Sequence, residues 1–349
     1  MASRRRVLIT GANGYIAAQT VGTFLKAGWA VRGAVRDLNS KTVRELAAHL
    51  AAEQEAGNFE LVVVPDIRAP GAFDEAVQGV QAIAHLATPM AFDTGDVEYV
   101  IGTAVQGTLS ILESALKAGE SIKSFVLMSS IAAVRMTAPA PKTFTEEDWN
   151  TESEAAVKEA GEKAYGPMIY AASKAASERA FWDWVKRKEP PFGATALNPC
   201  WVAGPSLYLP SSPEGIVATS SFIWKVFSGQ DFPKGPAGYG SHVDVRDVAR
   251  MTEWAASHPE IASGERYILG GDGNIGVPQA AADVLREAYP DRRNIIKEGT
   301  PGEGYRPGYA IDPEGLNISG SKAIKATGQG WIPYDKLVLD AAKLFEGFL

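Results

Sequence analysis

Thr10-Gly11-Ala12-Asn13-Gly14-Tyr15-Ile16-Ala17 follows the apolar run Val7-Leu8-Ile9 and precedes the apolar positions Val21, Phe24 and Leu25. Strand, glycine turn and helix, in that order, is the context in which a glycine-rich turn binds a dinucleotide. Gly11 permits a tight turn that a Cβ obstructs. Gly14 lets a phosphate approach the backbone, and Ala17 is small enough for close helix–strand packing. The helix start then offers N–H groups and a partial positive charge to a pyrophosphate. Gly11, Asn13, Gly14, Tyr15 and Ile16 are the candidate coenzyme residues of this turn.

Outward from the turn, strand-like and helix-like patterns alternate. Residues 6–10, 30–35, 59–64, 81–86, 124–129 and 194–198 read as strands, most of them apolar on both faces. Such runs suit a parallel sheet covered on both sides. Helical patterns lie near 14–27, 40–55, 72–78, 96–118 and 165–187. Right-handed crossovers between them give an α/β Rossmann fold, a doubly wound parallel sheet whose ligands bind beyond the carboxyl ends of the strands. After Pro199 the composition shifts to Pro, Gly and Ser around one helical stretch, 214–227. Residues 242–249 read as a strand entering a helix that ends near Ser257, and 266–269 as another strand. Helices are expected near 277–288, 320–327 and 334–347, and a long loop at 299–308. The domain expectation is a dinucleotide-binding domain over 1–198, with 242–270 returning to it. A smaller mixed α/β substrate domain takes 199–241 and 271–349, with the substrate in a crevice between the two.

Composition narrows the function classes. The 349 residues are 46% hydrophobic and 21% charged, values of a globular chain. A net charge of −7 argues against a nucleic-acid binder, which needs a basic face. Arg4-Arg5-Arg6 leads into an apolar run too short for a secretory signal, and no segment reaches the length of a membrane helix. Cys200 is the sole cysteine, which fits a cytoplasmic protein and reads as a buried structural thiol. The four histidines have no zinc-like spacing, so no metal is expected. Glu146-Glu147-Asp148 reads as a solvated acidic turn before Trp149.

The second strand, Val31-Arg32-Gly33-Ala34-Val35-Arg36-Asp37, bears on which dinucleotide is bound. An NAD site places an acid at this strand's end, on the ribose 2′-hydroxyl. Here Arg36 stands there, and a guanidinium pairs a 2′-phosphate through two hydrogen bonds. Arg32 is a second candidate. NADPH is therefore expected over NADH. Asp66 follows the third strand and could accept the adenine amino group or cap the next helix. In His85-Leu86-Ala87-Thr88 the small Ala87 can pass close to the dinucleotide, and His85 reads as a packed histidine.

Tyr170 and Lys174 lie four apart at the start of a predicted helix, one turn apart on one face. A tyrosine ionising near pH 10 is a poor acid–base catalyst at neutrality, and a neighbouring ammonium lowers that pKa. Tyr170 could then give a proton to a carbonyl oxygen as hydride reaches the carbon. Phe125-Val126-Leu127-Met128-Ser129-Ser130 ends the fifth strand in two hydroxyls. Ser130 is the first choice to hold the substrate oxygen and Ser129 the alternate. Lys174 also suits the nicotinamide ribose hydroxyls.

With these residues in place the chain resembles the extended short-chain dehydrogenase/reductase family. The glycine turn, Ser129-Ser130, Tyr170 to Lys174 and His242-Val243-Asp244-Val245-Arg246-Asp247 match it in order. Residues 31–36 and 125–130 look like the branch holding dihydroflavonol 4-reductase and the yeast and fungal NADPH-dependent aldehyde, carbonyl and methylglyoxal reductases. The resemblance implies Ser130, Tyr170 and Lys174 as a catalytic triad and Arg36 as the phosphate reader. It also implies that Pro199 and Val202, in Asn198-Pro199-Cys200-Trp201-Val202, lie along the nicotinamide. Two departures stand out. Ala17 replaces a third glycine, and Gly102-Thr103-Ala104-Val105-Gln106-Gly107-Thr108 has no asparagine for the proton relay of many classical members. Against the family pattern the stretch from Ala138 to Tyr165 is a long insertion, expected to border the substrate pocket.

The expected activity is NADPH-dependent reduction of aldehydes or ketones, with a small carbonyl compound as partner and a monomer or homodimer as the working form. Two other readings stay open: an NAD-dependent nucleotide-sugar epimerase or dehydratase, which Arg36 opposes, and a non-catalytic NADPH-sensing regulator. Phe92, Trp201, Tyr208, Phe232 and Tyr239 are the aromatic candidates for the substrate pocket.

Overall fold

The short apolar runs become strands because both of their faces are covered. Every residue of Ala82–His85 and of Ser124–Met128 is buried. A computed structural model of the chain describes residues 4–88, 97–232, 241–271, 276–309 and 315–349. Its elements begin with β1 (Arg6–Thr10), α1 (Tyr15–Lys26), β2 (Ala30–Val35), α2 (Lys41–His49), α3 (Ala51–Glu55), β3 (Phe59–Val63), β4 (Ala82–His85) and α4 (Val97–Ala118). There follow β5 (Ser124–Met128), β6 (Lys142–Phe144), α5 (Ser153–Ala160), α6 (Gly166–Lys188), β7 (Gly193–Pro199), β8 (Trp201–Ala203), α7 (Ser221–Phe227) and β9 (His242–Asp244). The last are α8 (Val245–Ser257), α9 (Pro259–Ala262), β10 (Arg266–Leu269), α10 (Pro278–Ala288), β11 (Leu316–Ile318), α11 (Ser321–Thr327) and α12 (Tyr334–Phe345).

Seven strands form one sheet in the order β3-β2-β1-β4-β5-β7-β10, and the pairs from β3 through β7 are parallel. The order reverses between β1 and β4. This is the Rossmann arrangement expected, and the reversal point is where such a sheet receives its ligand. Phe73, Phe125, Phe181, Trp184 and Phe192 belong to the core beside the sheet. Helices α4 and α6 meet through small polar contacts, where the Thr108 and Ser177 hydroxyls bond at 2.9 Å. The segment that lacks the relay asparagine thus serves packing. A Cβ on Gly107 would lie 2.7 Å from Ile67 Cδ1.

The chain falls into two compact units. One comprises residues 1–137, 146–198 and 250–267, and the other 138–145, 199–249 and 268–349. In the second, α7, α10 and α12 surround a core that includes Phe222, Phe227, Leu285, Tyr334 and Phe345. There the buried Asp244 accepts the Arg246 backbone N–H at 2.8 Å and its guanidinium at 2.7 and 2.9 Å. Asp247 accepts the Ile332 N–H at 2.6 Å.

Three sequence expectations are corrected. Residues 72–78 are a run of turns rather than a helix, with mostly i to i+3 bonds such as Asp74 N–H to Gly71 at 3.0 Å, because Phe73, Ala76 and Val77 all turn into the core. The 40–55 helix breaks into α2 and α3 at Leu50, which leaves helical geometry and is buried. Of the 214–227 stretch only α7 is α-helical, preceded by a 3₁₀ turn at Pro213–Gly215.

Candidate active site

The β1–β4 reversal is built around Thr10. Its buried hydroxyl accepts the backbone N–H groups of Leu86 and Ala87 at 3.0 and 2.9 Å and bonds His85 Nδ1 at 2.9 Å. One residue on, Gly11 has φ +65°, and a Cβ there would lie 3.2 Å from the Ala87 Cα. The turn is therefore closed to any residue but glycine by conformation and by space together. Gly14 caps α1, whose first-turn N–H groups have no carbonyl within the helix to bond. Asn13 Nδ2 donates to Thr42 Oγ1 at 2.8 Å and so ties the turn to the start of α2. Tyr15 and Ile16 open α1 half-buried. A backbone cradle that a Cβ would obstruct, facing a helix start, fits a dinucleotide pyrophosphate.

Arg36 lies just past the end of β2 and is exposed. It is close enough to Asp66 to help hold that carboxyl down. Arg32 has a different task, which corrects its candidacy for the coenzyme. Its guanidinium donates to the Ala76 and Gln78 carbonyls at 2.8 and 2.7 Å and to Glu60 at 2.7 Å, pinning the turns before β4. Asp66 accepts the Arg68 backbone N–H at 2.9 Å and its guanidinium at 2.8 Å, and these bonds lower its pKa to about 2. It caps a local turn, since no helix follows it.

His85 is packed, as read from the sequence. It lies between Phe73 and Phe125, with ring centroids 6.3 Å away on each side. Burial, aided by the Lys174 charge, lowers its pKa to about 3, so the imidazole is neutral at pH 7. In the sheet His85 pairs with Leu127 of β5, so the residue that bonds Thr10 lies one strand from the end of β5.

Lys174 is buried on α6 and donates to the Met128 carbonyl, the last residue of β5, at 3.1 Å. Its Nζ stands 5.9 Å from the centre of the Tyr170 ring. Burial lowers its pKa to about 8, with the Glu178 carboxylate pulling the other way. The Tyr170 and Ser130 hydroxyls are hydrogen-bonded. Ser130 is extended at the end of β5 and its Oγ also accepts the Ala132 N–H at 3.2 Å. Ser129 points elsewhere and donates to Glu178 at 2.5 Å. Of the two serines, Ser130 is therefore the one at Tyr170.

The phenol departs from its sequence expectation. Burial raises the Tyr170 pKa, and the opposing pull comes from Ser130 rather than from Lys174. A phenol raised in this way stays protonated at neutral pH. The site can therefore offer a neutral O–H acid, a second hydroxyl bonded to it, and a cation within 6 Å of the ring.

Glu178 is the residue that sequence reading passed over. It is fully buried, one turn beyond Lys174 on α6. It accepts from Ser129, from Asn198 Nδ2 at 2.7 Å and from Arg266 Nε at 2.6 Å. Arg266 in turn donates to the Glu146 and Asp148 carbonyls and lies 3.7 Å over the Trp149 ring. The acidic turn at 146–148 is thus anchored by its backbone, and no group of His, Cys, Asp and Glu able to hold a metal occurs among the described residues.

Pro199 closes β7, and Val202 lies buried in β8, paired with Val243 of β9. Cys200 is buried between them. Trp201 donates to the Thr219 carbonyl at 3.0 Å, and both it and Phe232 pack on the second unit's core. Tyr208 is half-buried, and Phe92 and Tyr239 lie outside the described residues.

The sequence model of the NAD dependent epimerase/dehydratase family matches residues 7–270, from β1 to β10. The chain belongs to that family. Relatives sharpen the placement within it. An uncharacterized oxidoreductase of Schizosaccharomyces pombe is 30% identical over 98% of this chain and 97% of its own. The NADPH-dependent methylglyoxal reductase GRE2 of Saccharomyces cerevisiae is 32% identical over 85% of this chain and 86% of its own. The crystal structure of the yeast methylglyoxal/isovaleraldehyde reductase complexed with NADPH superposes with a TM-score of 0.82 at 28% identity, covering 99% of this chain and all of that one. No described helix is long and apolar enough to cross a membrane.

Proposed function

We propose that this chain is an NADPH-dependent reductase that converts small aldehydes and ketones to alcohols. One observation carries the reading. Thr10 at the glycine turn bonds His85, His85 pairs with Leu127 beside Met128, and Lys174, bonded to the Met128 carbonyl, stands 5.9 Å from the ring of a Tyr170 that is bonded to Ser130. A coenzyme turn and a proton donor are thereby neighbours. The printed activities of the relatives support it.

When bound, the reduced nicotinamide supplies the hydride. The side chains do the rest. Tyr170 hands its phenolic proton to the carbonyl oxygen as the carbon gains hydrogen, and the phenolate left behind recovers a proton from solvent. Ser130 Oγ donates a hydrogen bond to the same oxygen and fixes its approach. The Lys174 ammonium, held by the Met128 carbonyl, offsets the charge that forms on Tyr170. Burial keeps the acid protonated until it is used. Gly11, Asn13, Gly14, Tyr15, Ile16 and Ala87 would hold the pyrophosphate and ribose, and Pro199 and Val202 the nicotinamide. The unit of residues 1–137, 146–198 and 250–267 would carry the coenzyme, and that of 138–145, 199–249 and 268–349 the substrate. We place the protein in the cytosol as a monomer or homodimer, the latter checked by light scattering.

The test is NADPH oxidation across a panel of aldehydes, α-keto esters and aryl ketones, with the alcohol identified. Turnover on at least one class is expected. NADPH binding without turnover across the whole panel would point to the sensing role, and NAD retained through purification to an epimerase.

Coenzyme choice has its own test. Arg36→Ala is expected to raise KM for NADPH about tenfold or more and to leave KM for NADH within about twofold, since only the 2′-phosphate loses a partner. Equal KM values for the two coenzymes in the unaltered protein would remove that role from Arg36.

A further inference from the structure

We infer that Glu178 is a positioning residue for the reduction: its buried carboxylate ties the serine-bearing end of β5 to the helix that carries Tyr170 and Lys174. The inference rests on the catalytic reading above and deepens it.

Three facts converge. First, Tyr170, Lys174 and Glu178 follow one another at intervals of four on α6, so they share a face one turn apart. Second, the partners of Glu178 are all donors and come from three strands: Ser129 beyond β5, Asn198 in β7 and Arg266 in β10, besides Trp182 Nε1 at 3.4 Å on its own helix. Such a set is what an ionised carboxylate accepts. Third, two of these partners act directly on Ser130. Ser129 is its chain neighbour, and Asn198 Nδ2 also donates to the Ser130 carbonyl at 3.2 Å. The backbone on both sides of the Ser130 hydroxyl is therefore referred to one carboxylate on the tyrosine helix.

An apolar residue at 178 would fill the volume but would take the acceptor from the Ser129 hydroxyl, from one Asn198 amide N–H and from the Arg266 Nε–H, each at a cost of about 1–3 kcal/mol. A merely structural role would show as lost stability alone. A positioning role shows in the chemistry. The charged and titratable groups facing Lys174 are Tyr170 and Glu178 on its own helix and His85 from β4. Those facing Glu178 are Lys174 and Arg266. Removing the carboxylate takes away the anion whose charge raises the Lys174 pKa.

The test compares Glu178→Gln, Glu178→Asp and Tyr170→Phe in the full chain. NADPH affinity is read by fluorescence and activity is expressed per folded protein. Glu178→Gln is expected to lower kcat about tenfold, to leave NADPH affinity within about twofold, and to move the alkaline limb of the reduction profile about one pH unit lower, because the Lys174 ammonium has lost its counter-charge. Glu178→Asp keeps the charge and is expected to restore the position of that limb and part of kcat. A Glu178→Gln profile superimposable on that of the unaltered protein, with Tyr170→Phe inactive, would overturn the inference and leave the catalytic reading standing. An active Tyr170→Phe would instead remove the reading itself. If Glu178→Gln does not fold, Ser129→Ala decides. A kcat severalfold lower at unchanged NADPH affinity supports the inference, and an unchanged kcat overturns it.

Discussion

Tyr170→Phe is expected to lower kcat for carbonyl reduction by about 10²–10⁴-fold, the range that removal of a positioned general acid produces. A loss of 10³ corresponds to about 4 kcal/mol of transition-state stabilisation. The substitution deletes one oxygen and keeps the ring, so packing on α6 and the Lys174 contact to Met128 are preserved. Ser130 keeps its bond to the Ala132 N–H. NADPH affinity is expected within about threefold of the original, because the glycine turn and Arg36 are untouched. Rate and affinity therefore separate, and the measurements are steady-state turnover beside a fluorescence titration with NADPH. Undiminished turnover on a good substrate would show that the proton comes from elsewhere.

The second large effect is expected at Gly11. Valine there meets two obstacles at once. Its backbone must hold φ +65°, which a β-branched residue adopts only at a cost of about 1–2 kcal/mol or more. Its Cβ would press on the Ala87 backbone at 3.2 and 3.4 Å. The easiest relief is for the turn to open away from Ala87, which pulls apart the cradle between β1 and β4. NADPH affinity is expected to fall at least about 100-fold, a loss of about 3 kcal/mol of binding. The melting temperature should fall by only several degrees, because β1 and β4 keep their pairing along Val7 to Thr10. Titration of Gly11→Val with NADPH reads the first effect and thermal unfolding the second. An unchanged affinity would mean that the pyrophosphate does not lie on this turn.

The sheet was legible because each of its strands is an apolar run bounded by turn residues, and burial on both faces leaves no other use for such a run. β1 and β2 agree with the sequence reading to the residue. The strands that escaped notice are three residues long. β6 and β11 pair across more than 170 positions of sequence, and neither carries enough of a pattern to be read locally. Residues 72–78 have helical spacing of apolar side chains, yet tertiary burial rather than helix formation satisfies them. At the site, spacing alone placed Tyr170 and Lys174 on one face, and strand order placed Ser130 at the sheet's carboxyl edge. Arg32 and Arg36 are four apart in sequence and equally cationic. Only the fold shows that Arg32 is bound to the Ala76 and Gln78 carbonyls while Arg36 is exposed beyond the strand end. Glu178 had the right spacing as well, but its meaning lies in Arg266 and Asn198, which no local pattern connects to it. The raised Tyr170 pKa was equally hidden, because desolvation is a property of the packed site and not of the Tyr–Lys interval.

That pKa gives the account its most direct test, the pH dependence of the reduction rate between pH 6 and 10. Reduction needs the phenol protonated and benefits from the Lys174 ammonium. The phenol holds its proton beyond pH 10, and the ammonium is lost on passing about 8. The rate should be level through neutrality and fall above about pH 8, with no rise anywhere on the alkaline side. A rate that climbs through that range would mean that the phenolate, or a different group, drives the step, and would contradict the account.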